Sequence, residues 1–402
     1  MYKYPFRDPI YGILEFDEVC LEVMNTPEFQ RLRYIEQLGC AQYIFPSANH
    51  TRFSHSLGTS YLTKYALNQI TSANQIKIDN KNMKNIVLAG MCHDIGHGPF
   101  SHLFDSLFAT TFEEEHESRS LKILEKLYNE ERVSFNGEDL EQIRECIDPK
   151  YYKDHWFYKI VSNKESGLDT DKLDYLMRDS YQLGMGFQHP FNAFYKNCKI
   201  KDNELYFDYN DMMLYQDIFH VRYKLHHSIY QHSKVKAFDF LMKDIFYYAN
   251  NKYNFKEKLN DIDEFIKWDD TIIQEIYRSN DPELSKSKEL VKRLYNHNPY
   301  KLIYQSQYSE YEYEKTKSIC EENLLENNYI IDVCHMNYWK GETNPLDKIH
   351  FYKYNCNKKF SFLKDVVKNY IEPHSFEQKE IRVYIKNTKG ILVDDIIEKL
   401  AK

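Results

Sequence analysis

The chain has 402 residues, 42% of them hydrophobic, enough to bury a sizeable core; a prior of roughly 150 residues per domain suggests two or three units. No apolar run approaches the roughly 18 residues of a membrane span, and the first residues lack the apolar stretch of a signal peptide, so a soluble intracellular protein without a membrane partner is expected. The net charge of -8, from 53 basic against 61 acidic residues, disfavours nucleic acid as a bulk partner, and the eight cysteines form no CxxC pair, which argues against a disulfide scaffold or a cysteine zinc site.

Residues 26–38 have a helical pattern: Thr26 can cap, Pro27 suits the first turn, and Phe29, Leu32, Ile35 and Leu38 recur at spacings of three. This helix would carry Gln30, Arg33 and Gln37, the last two on one face. Residues 82–95 read as an apolar helix whose Ala89 and Gly90 permit close packing, and Gly96, Gly98 and Pro99 break it, swinging His97 and His102 out of regular structure. Two further helices are expected over 168–183 and 215–250, with a short hairpin about 204–209 between them. Residues 251–328 are charged and helical in pattern. Beyond them, 329–333, 348–354 and 380–386 alternate as strands before a last helix at 391–400. The expected fold class is therefore mainly α: a helical catalytic core over 1–250, then a helical extension and a smaller α+β C-terminal lobe over 251–402.

The densest chemistry lies in His93-Asp94-Ile95-Gly96-His97-Gly98-Pro99-Phe100-Ser101-His102, three imidazoles and a carboxylate within one decapeptide. Imidazole nitrogen with carboxylate oxygen suits Zn, Fe or Mn, and an incompletely filled coordination sphere can hold a water that becomes a nucleophile. His55 and Asp171 look like the completion of the set. The order His, His-Asp, Asp resembles the HD-domain metal-dependent phosphohydrolases, in which these four positions hold the metal.

Asp171, Tyr175 and Asp179 are spaced i, i+4, i+8, so one helix face would present a metal ligand, an aromatic hydroxyl and a carboxylate. Arg222, His226 and Tyr230 repeat the spacing on a second helix. Two solvated faces are the bland alternative, but the apolar flanks Leu173, Leu176, Met177, Leu225 and Ile229 favour a pocket between the helices.

The resemblance sharpens at Asp8-Pro9-Ile10-Tyr11-Gly12, Thr26-Pro27-Glu28-Phe29-Gln30-Arg31-Leu32-Arg33, Arg52-Phe53-Ser54-His55-Ser56-Leu57-Gly58, the decapeptide and Asp171-Lys172-Leu173-Asp174-Tyr175. Together these resemble the deoxynucleoside triphosphate (dNTP) triphosphohydrolases, in particular the vertebrate branch that joins a sterile-alpha-motif domain to the HD domain. That extra domain is expected to be absent, since the match begins at about residue 5. The resemblance implies a dNTP substrate, one transition metal on His55, His93, Asp94 and Asp171, Mg on the substrate phosphates, and a homo-oligomer, dimer or tetramer. It implies phosphate contacts from Arg52, His97, His102, Lys172 and Arg222, and sugar 3′-hydroxyl contacts from Gln37 and Asp179. Leu38, Tyr175 and Tyr230 would crowd a 2′-hydroxyl, with His226 on the same stripe and Gln231 near the base. His116 matches a histidine assigned a catalytic role, His97 and His102 stand beside it, and Asp105 would fix an imidazole tautomer.

Departures from the family concern regulation. Activated relatives read a guanine activator through an aspartate where this chain has Asn25, whose amide cannot accept paired guanine N–H bonds as a carboxylate does. A nearby lysine is replaced by Tyr4, and residues 207–213 carry no Lys or Arg, whereas Gln30, Arg33, Arg382 and Lys386 remain. Activity is accordingly expected to be constitutive or controlled by a different nucleotide.

Overall fold

Side-chain caps start several of the helices, among them two that bring residues to the site. Asp17 accepts from Cys20 N to open α1 (Glu18–Met24), and Thr26 accepts from Phe29 N with Pro27 in the first turn of α2 (Pro27–Gln30). α3 (Arg52–Asn74) follows, then Asp79 caps α4 (Asn80–Cys92). α5 (His102–Phe108) and α6 (His116–Asn129) precede α7 (Gly137–Ile147), which Asn136 starts with a full capping box. Asp169 accepts from Lys172 N to start α8 (Thr170–Gln182), setting Asp171 in its first turn. The chain is described here by a computed structural model over residues 5–111, 115–148, 155–186, 191–354, 360–362 and 373–402, so Tyr4 lies outside the described residues.

After α9 (Phe191–Phe194) come α10 (Met212–Leu225) and α11 (Ser233–Tyr253), then the short helices α12 (Phe255–Lys258), α13 (Ile262–Phe265) and α14 (Ile272–Arg278), and the longer α15 (Ser285–Tyr295) and α16 (Glu310–Asn323). The last helix is α17 (Val393–Ala401). The strands form small sheets. β1 (Phe6–Asp8) and β2 (Gly12–Leu14) make an antiparallel hairpin, and β3 (Lys199–Lys201) pairs antiparallel with β4 (Glu204–Asp208). β5 (Lys301–Gln307) and β6 (Tyr329–Asn337) flank a later strand, while β7 (Phe351–Tyr354) runs parallel to β4 and antiparallel to β8 (Phe360–Phe362). That later strand, β9 (Glu377–Ile385), is the centre of the C-terminal sheet, with Arg382 opposite Gln305 on one side and Asp332 on the other.

The fold is mainly α with a small α+β lobe. A main apolar core runs from Tyr11 through the helices to Phe351 and Tyr384, and a second, smaller cluster of Ile303, Cys320, Leu324, Val383, Ile385, Ile396 and Leu400 sits under the C-terminal sheet. Seven described cysteines are free and buried. Among the described residues, no helix is long and apolar enough to cross a membrane.

Four local expectations are corrected. The helix expected over 26–38 stops after one turn: residues 31–34 tighten to a 3-10 turn, and Ile35 goes extended so that 35–37 pairs with 50–52 through Gln37 N–His50 O and Arg52 N–Ile35 O, both 2.9 Å. Arg33 and Gln37 therefore do not share a helix face. His102 is not outside regular structure but the first residue of α5. The helix expected over 215–250 is two, α10 and α11, joined through a wide π turn at His226–Tyr230, where Gln231 N reaches back five residues to His226 O at 2.8 Å. Within 251–328, residues 301–307 form β5 rather than helix, because their alternating burial completes a sheet against β9.

α3 packs on α4 and α8 through glycine contacts. A Cβ at Gly58 would lie 2.0 Å from Asp174 Oδ1 and 2.2 Å from Arg178 Nη2, and one at Gly90 would lie 2.7 Å from Thr63 Oγ1. Only a bare α-carbon admits the Asp174–Arg178 pair against α3. We expect Gly58→Ala to destabilise the protein by about 1–3 kcal/mol or more through overpacking, read as a lower urea midpoint; an unchanged midpoint would mean the helices part without cost.

Candidate active site

α3 supplies Arg52 and His55, the turn after α4 supplies His93 and Asp94, and α8 supplies Asp171. α4 ends where His93 Nδ1 turns back to Gly90 O at 2.9 Å, which commits that nitrogen and aims Nε2 away from the helix. His55 Nδ1 is likewise committed, to Asp174 Oδ2 at 2.8 Å. Their Nε2 atoms are buried without a hydrogen-bond partner and face carboxylates: His55 Nε2 is 3.2 Å from Asp171 Oδ1 and 3.4 Å from Asp94 Oδ2, and His93 Nε2 is 3.4 Å from Asp94 Oδ1 and from Asp171 Oδ1. With both Nδ1 atoms donating, the two Nε2 atoms face carboxylate oxygens, an arrangement that a proton on the ring or a metal cation at its centre satisfies. Burial opposes charge on His55, but the facing Asp171 and Asp174 outweigh it and push the imidazole up to about 10. The donor set therefore fits a divalent metal.

Asp174 is the orienting group behind this set. Fully buried, it accepts from His55 Nδ1, from Tyr11 OH (2.8 Å), and from Arg178 Nε (2.9 Å) and Nη2 (3.0 Å), while Arg178 Nη1 binds Asp8 Oδ2 at 2.8 Å. Burial would raise its pKa, yet the Arg178 guanidinium and His55 hold it down at about 2.

A second cluster lies beside the first. His97 is fully buried and stacks on His116 with centroids 3.8 Å apart, and His102 packs edge-on against both. His116 Nδ1 is 3.0 Å from Asp105 Oδ2, and Arg119 binds the other Asp105 oxygen, so Asp105 sets the tautomer of His116. Charges separate the rings. Burial and Arg52 hold His97 in the neutral form, desolvation among the packed rings and Arg52 lower His102 to about 4 although it opens onto the cavity, and Glu117 and Asp105 overcome burial to raise His116.

Both clusters border one cavity of about 530 Å³. Its lining includes Gln37, Leu38, Arg52, His93, Asp94, His102, His116, Asp171, Tyr175, Asp179, Arg222, His226, Tyr230 and Gln231. His55, His97, Asp105 and Lys172 stand behind that surface. Lys172 Nζ pairs with the buried Asp169 at 2.7 Å and lies 4.6 Å from the Trp339 ring centre. Arg222 packs on the same ring from the cavity side and donates to Asn337 O (2.8 Å) and Tyr338 O (3.1 Å), leaving Nε without a partner. Arg52 joins Asp94 and donates through Nε to Ser101 Oγ at 2.8 Å. Asp179 receives His50 Nε2 at 2.7 Å and Tyr230 OH at 2.5 Å, and Gln37 Oε1 is buried without a partner. Burial lowers His226 to about 3, so it lines the wall uncharged.

The residues singled out for regulation lie off this cavity. Asn25 caps the end of α1; Gln30 Nε2 donates to Met24 O (2.8 Å); Arg33 donates to Gln30 Oε1 (2.7 Å) and covers the Phe53 ring. Arg382 pairs with Glu380 (2.7 Å) and donates to Gln231 O, and Lys386 pairs with Asp244 (2.6 Å). Among the described residues no hydrogen bond or ion pair joins the first group to the second. Sequence reasoning gave no role to Asp174, Ser101, His50 or Trp339. Asp174 had a signal, standing four residues before Arg178 within a motif already singled out; the other three are brought in by folding alone.

Comparison with known proteins matches a family model described as HD domain to residues 52–176, a span that begins at Arg52 and contains His55, His93, Asp94 and Asp171. The chain is 30% identical to mouse deoxynucleoside triphosphate triphosphohydrolase SAMHD1, over 97% of this chain and 69% of that protein. It is 31% identical to the Dictyostelium discoideum SAMHD1 homolog (95% and 77%) and 32% identical to human SAMHD1 (94% and 70%). Replacing Asp174 with Asn should cut affinity for a divalent transition metal about 10- to 100-fold, measured by chelator competition; unchanged affinity would remove Asp174 from the site.

Proposed function

Because the chain belongs to the SAMHD1 family of dNTP triphosphohydrolases, we propose that it hydrolyses dNTPs to the deoxynucleoside and inorganic triphosphate. One observation carries this reading: the metal-competent His/Asp set borders the same cavity that two arginines and a crowd of Leu38, Tyr175 and Tyr230 line. Its volume of about 530 Å³ suits a nucleotide. Held by His55, His93, Asp94 and Asp171, a Zn, Fe or Mn ion would polarise a phosphate oxygen and a water, with Mg accompanying the triphosphate.

The chain's own residues do the rest. Arg52, Arg222 and His102 receive the phosphates, the guanidiniums offsetting charge that spreads as the α-phosphate is attacked. Lys172 and His97 act from behind the surface, the first as charge beside Trp339 and the second as the plate on which His116 stacks. Gln37, with its unpartnered oxygen, and Asp179 take the 3′-hydroxyl, and Gln231 lies toward the base. Water oxygen bonds to the α-phosphorus, one of its protons staying on the new phosphate oxygen and the other leaving to solvent, the bond from phosphorus to the 5′-oxygen breaks, and that oxygen takes a proton from His116, which Asp105 orients and Glu117 helps keep charged.

The direct test incubates purified protein with each dNTP and NTP plus Mn or Mg and separates the products. Triphosphate with deoxynucleoside is expected; pyrophosphate or monophosphate would identify another HD phosphohydrolase. His116→Ala should lower kcat about 10²- to 10⁴-fold while KM stays within a few-fold. Asn25 in place of the guanine-reading aspartate supports GTP-independent turnover, so single dNTPs should be hydrolysed at similar rates with and without GTP; strict GTP dependence would reverse that reading. A dimer or tetramer belongs to the same reading and is measured by light scattering.

A further inference from the structure

One side of the cavity is built from two short segments, the first carrying Gln37 and Leu38 of the proposed sugar contacts and the second His102 of the proposed phosphate contacts, and both are pinned from the same place. Residues 37–39 supply Gln37, Leu38 and Gly39, and residues 100–102 supply Phe100, Ser101 and His102. Each segment only borders regular structure, Gly39 opening a 3-10 turn and His102 opening α5, so the residues before them need other support. Phe100 and Ser101 have φ of 57° and 60°, a left-handed conformation that L side chains adopt only under constraint. Gly39 has φ 52°, and a Cβ there would lie 3.2 Å from Phe100 O, so the two segments touch backbone to backbone.

Asp270, between α13 and α14, spans them. Its Oδ2 accepts from Glu36 N at 2.9 Å, its Oδ1 accepts from Phe100 N at 2.6 Å, and its own N donates to Tyr34 O at 3.0 Å. Two residues earlier, Trp268 O accepts from Arg31, whose guanidinium also takes His97 O at 2.8 Å. Ser101 Oγ closes the loop by donating to Glu36 O at 2.8 Å while accepting from Arg52 Nε. Asp270 does not itself line the cavity.

We propose that Asp270 is a positioning residue that sets the distance between the Gln37–Gly39 and Phe100–His102 walls and thereby controls discrimination against a 2′-hydroxyl. The inference rests on the proposed dNTP hydrolysis. Burial pushes Asp270 up to about 8 against the pull of the Glu36 and Phe100 N–H groups, so what suits the place is a carboxyl group with an oxygen turned to each of two backbone N–H groups from different segments; an asparagine offers one acceptor and turns an NH₂ toward the other N–H.

The test compares kcat/KM for dATP and ATP in wild type, Asp270→Asn and Asp270→Glu. We expect the dATP/ATP ratio to fall about tenfold or more in Asp270→Asn, as expected for small displacements of a positioning wall. Asp270→Glu, which keeps both acceptors on a longer stem, should retain more of the ratio. A loss of folded protein lowers both rates alike and leaves the ratio untouched, so the readout separates positioning from stability. Ratios within twofold of wild type in Asp270→Asn would overturn the inference. Absence of dNTP hydrolysis in wild type would instead overturn the functional reading, and the wall is then tested on the dATP and ATP binding ratio of the same proteins.

Discussion

Everything at the site leans on the contact between α3 and α8 at Gly58, where a buried Asp174 takes hydrogen bonds from His55, Tyr11 and Arg178. Because that carboxylate occupies His55 Nδ1, Nε2 must point at Asp94 and Asp171, and because Arg178 and Asp8 close the network, the N-terminal hairpin is tied to the same helix pair. Buried ion networks seldom stabilise more than a well-packed apolar contact would, since desolvation offsets the attraction. What this one supplies is orientation. A metal site needs its lone pairs held in place before the ion arrives.

Two helices and the turn that ends α4 carry the metal-competent set, while irregular structure shapes the rest of the cavity. The 3-10 turn after Gln30 turns the chain extended so that Gln37 reaches the cavity, and the wide turn at His226–Tyr230 breaks what would otherwise be one long helix. The left-handed pair Phe100 and Ser101 gives up about 1–3 kcal/mol per residue in local conformational preference. In exchange it brings Ser101 under Arg52 and starts α5 at His102. These departures cluster on one surface, as strain and π turns commonly do at functional sites.

The two histidine groups divide the electrostatics. His55 and His93 face carboxylates and call for positive charge, whereas burial at His97, desolvation among the packed rings at His102 and the Arg52 guanidinium beside both disfavour charge there. His116 stands between the regimes. Asp105 and Glu117 favour its proton within a stack that otherwise resists charge.

By itself the sequence determined the helical class, the chemical identity of the clustered residues and the HD order, since periodicity, caps and motif spacing are local properties of the chain. Asp171, Tyr175 and Asp179 share a face because one helix carries all three, and that follows from spacing alone. Where helices end was less legible: no local preference stops residues 26–38 after one turn, because the extended course of 35–37 is held by pairing with 50–52 and by Asp270 more than two hundred residues away. Nor does spacing tell which residues reach the cavity surface. Lys172 and His97 share the motif with surface residues yet lie behind it, since Asp169, Trp339 and His116 occupy their polar or ring faces. Tertiary structure alone decided the orienting Asp174, the pairing of His50 with Asp179 and the walls pinned at Asp270, because each joins elements whose approach is set by packing.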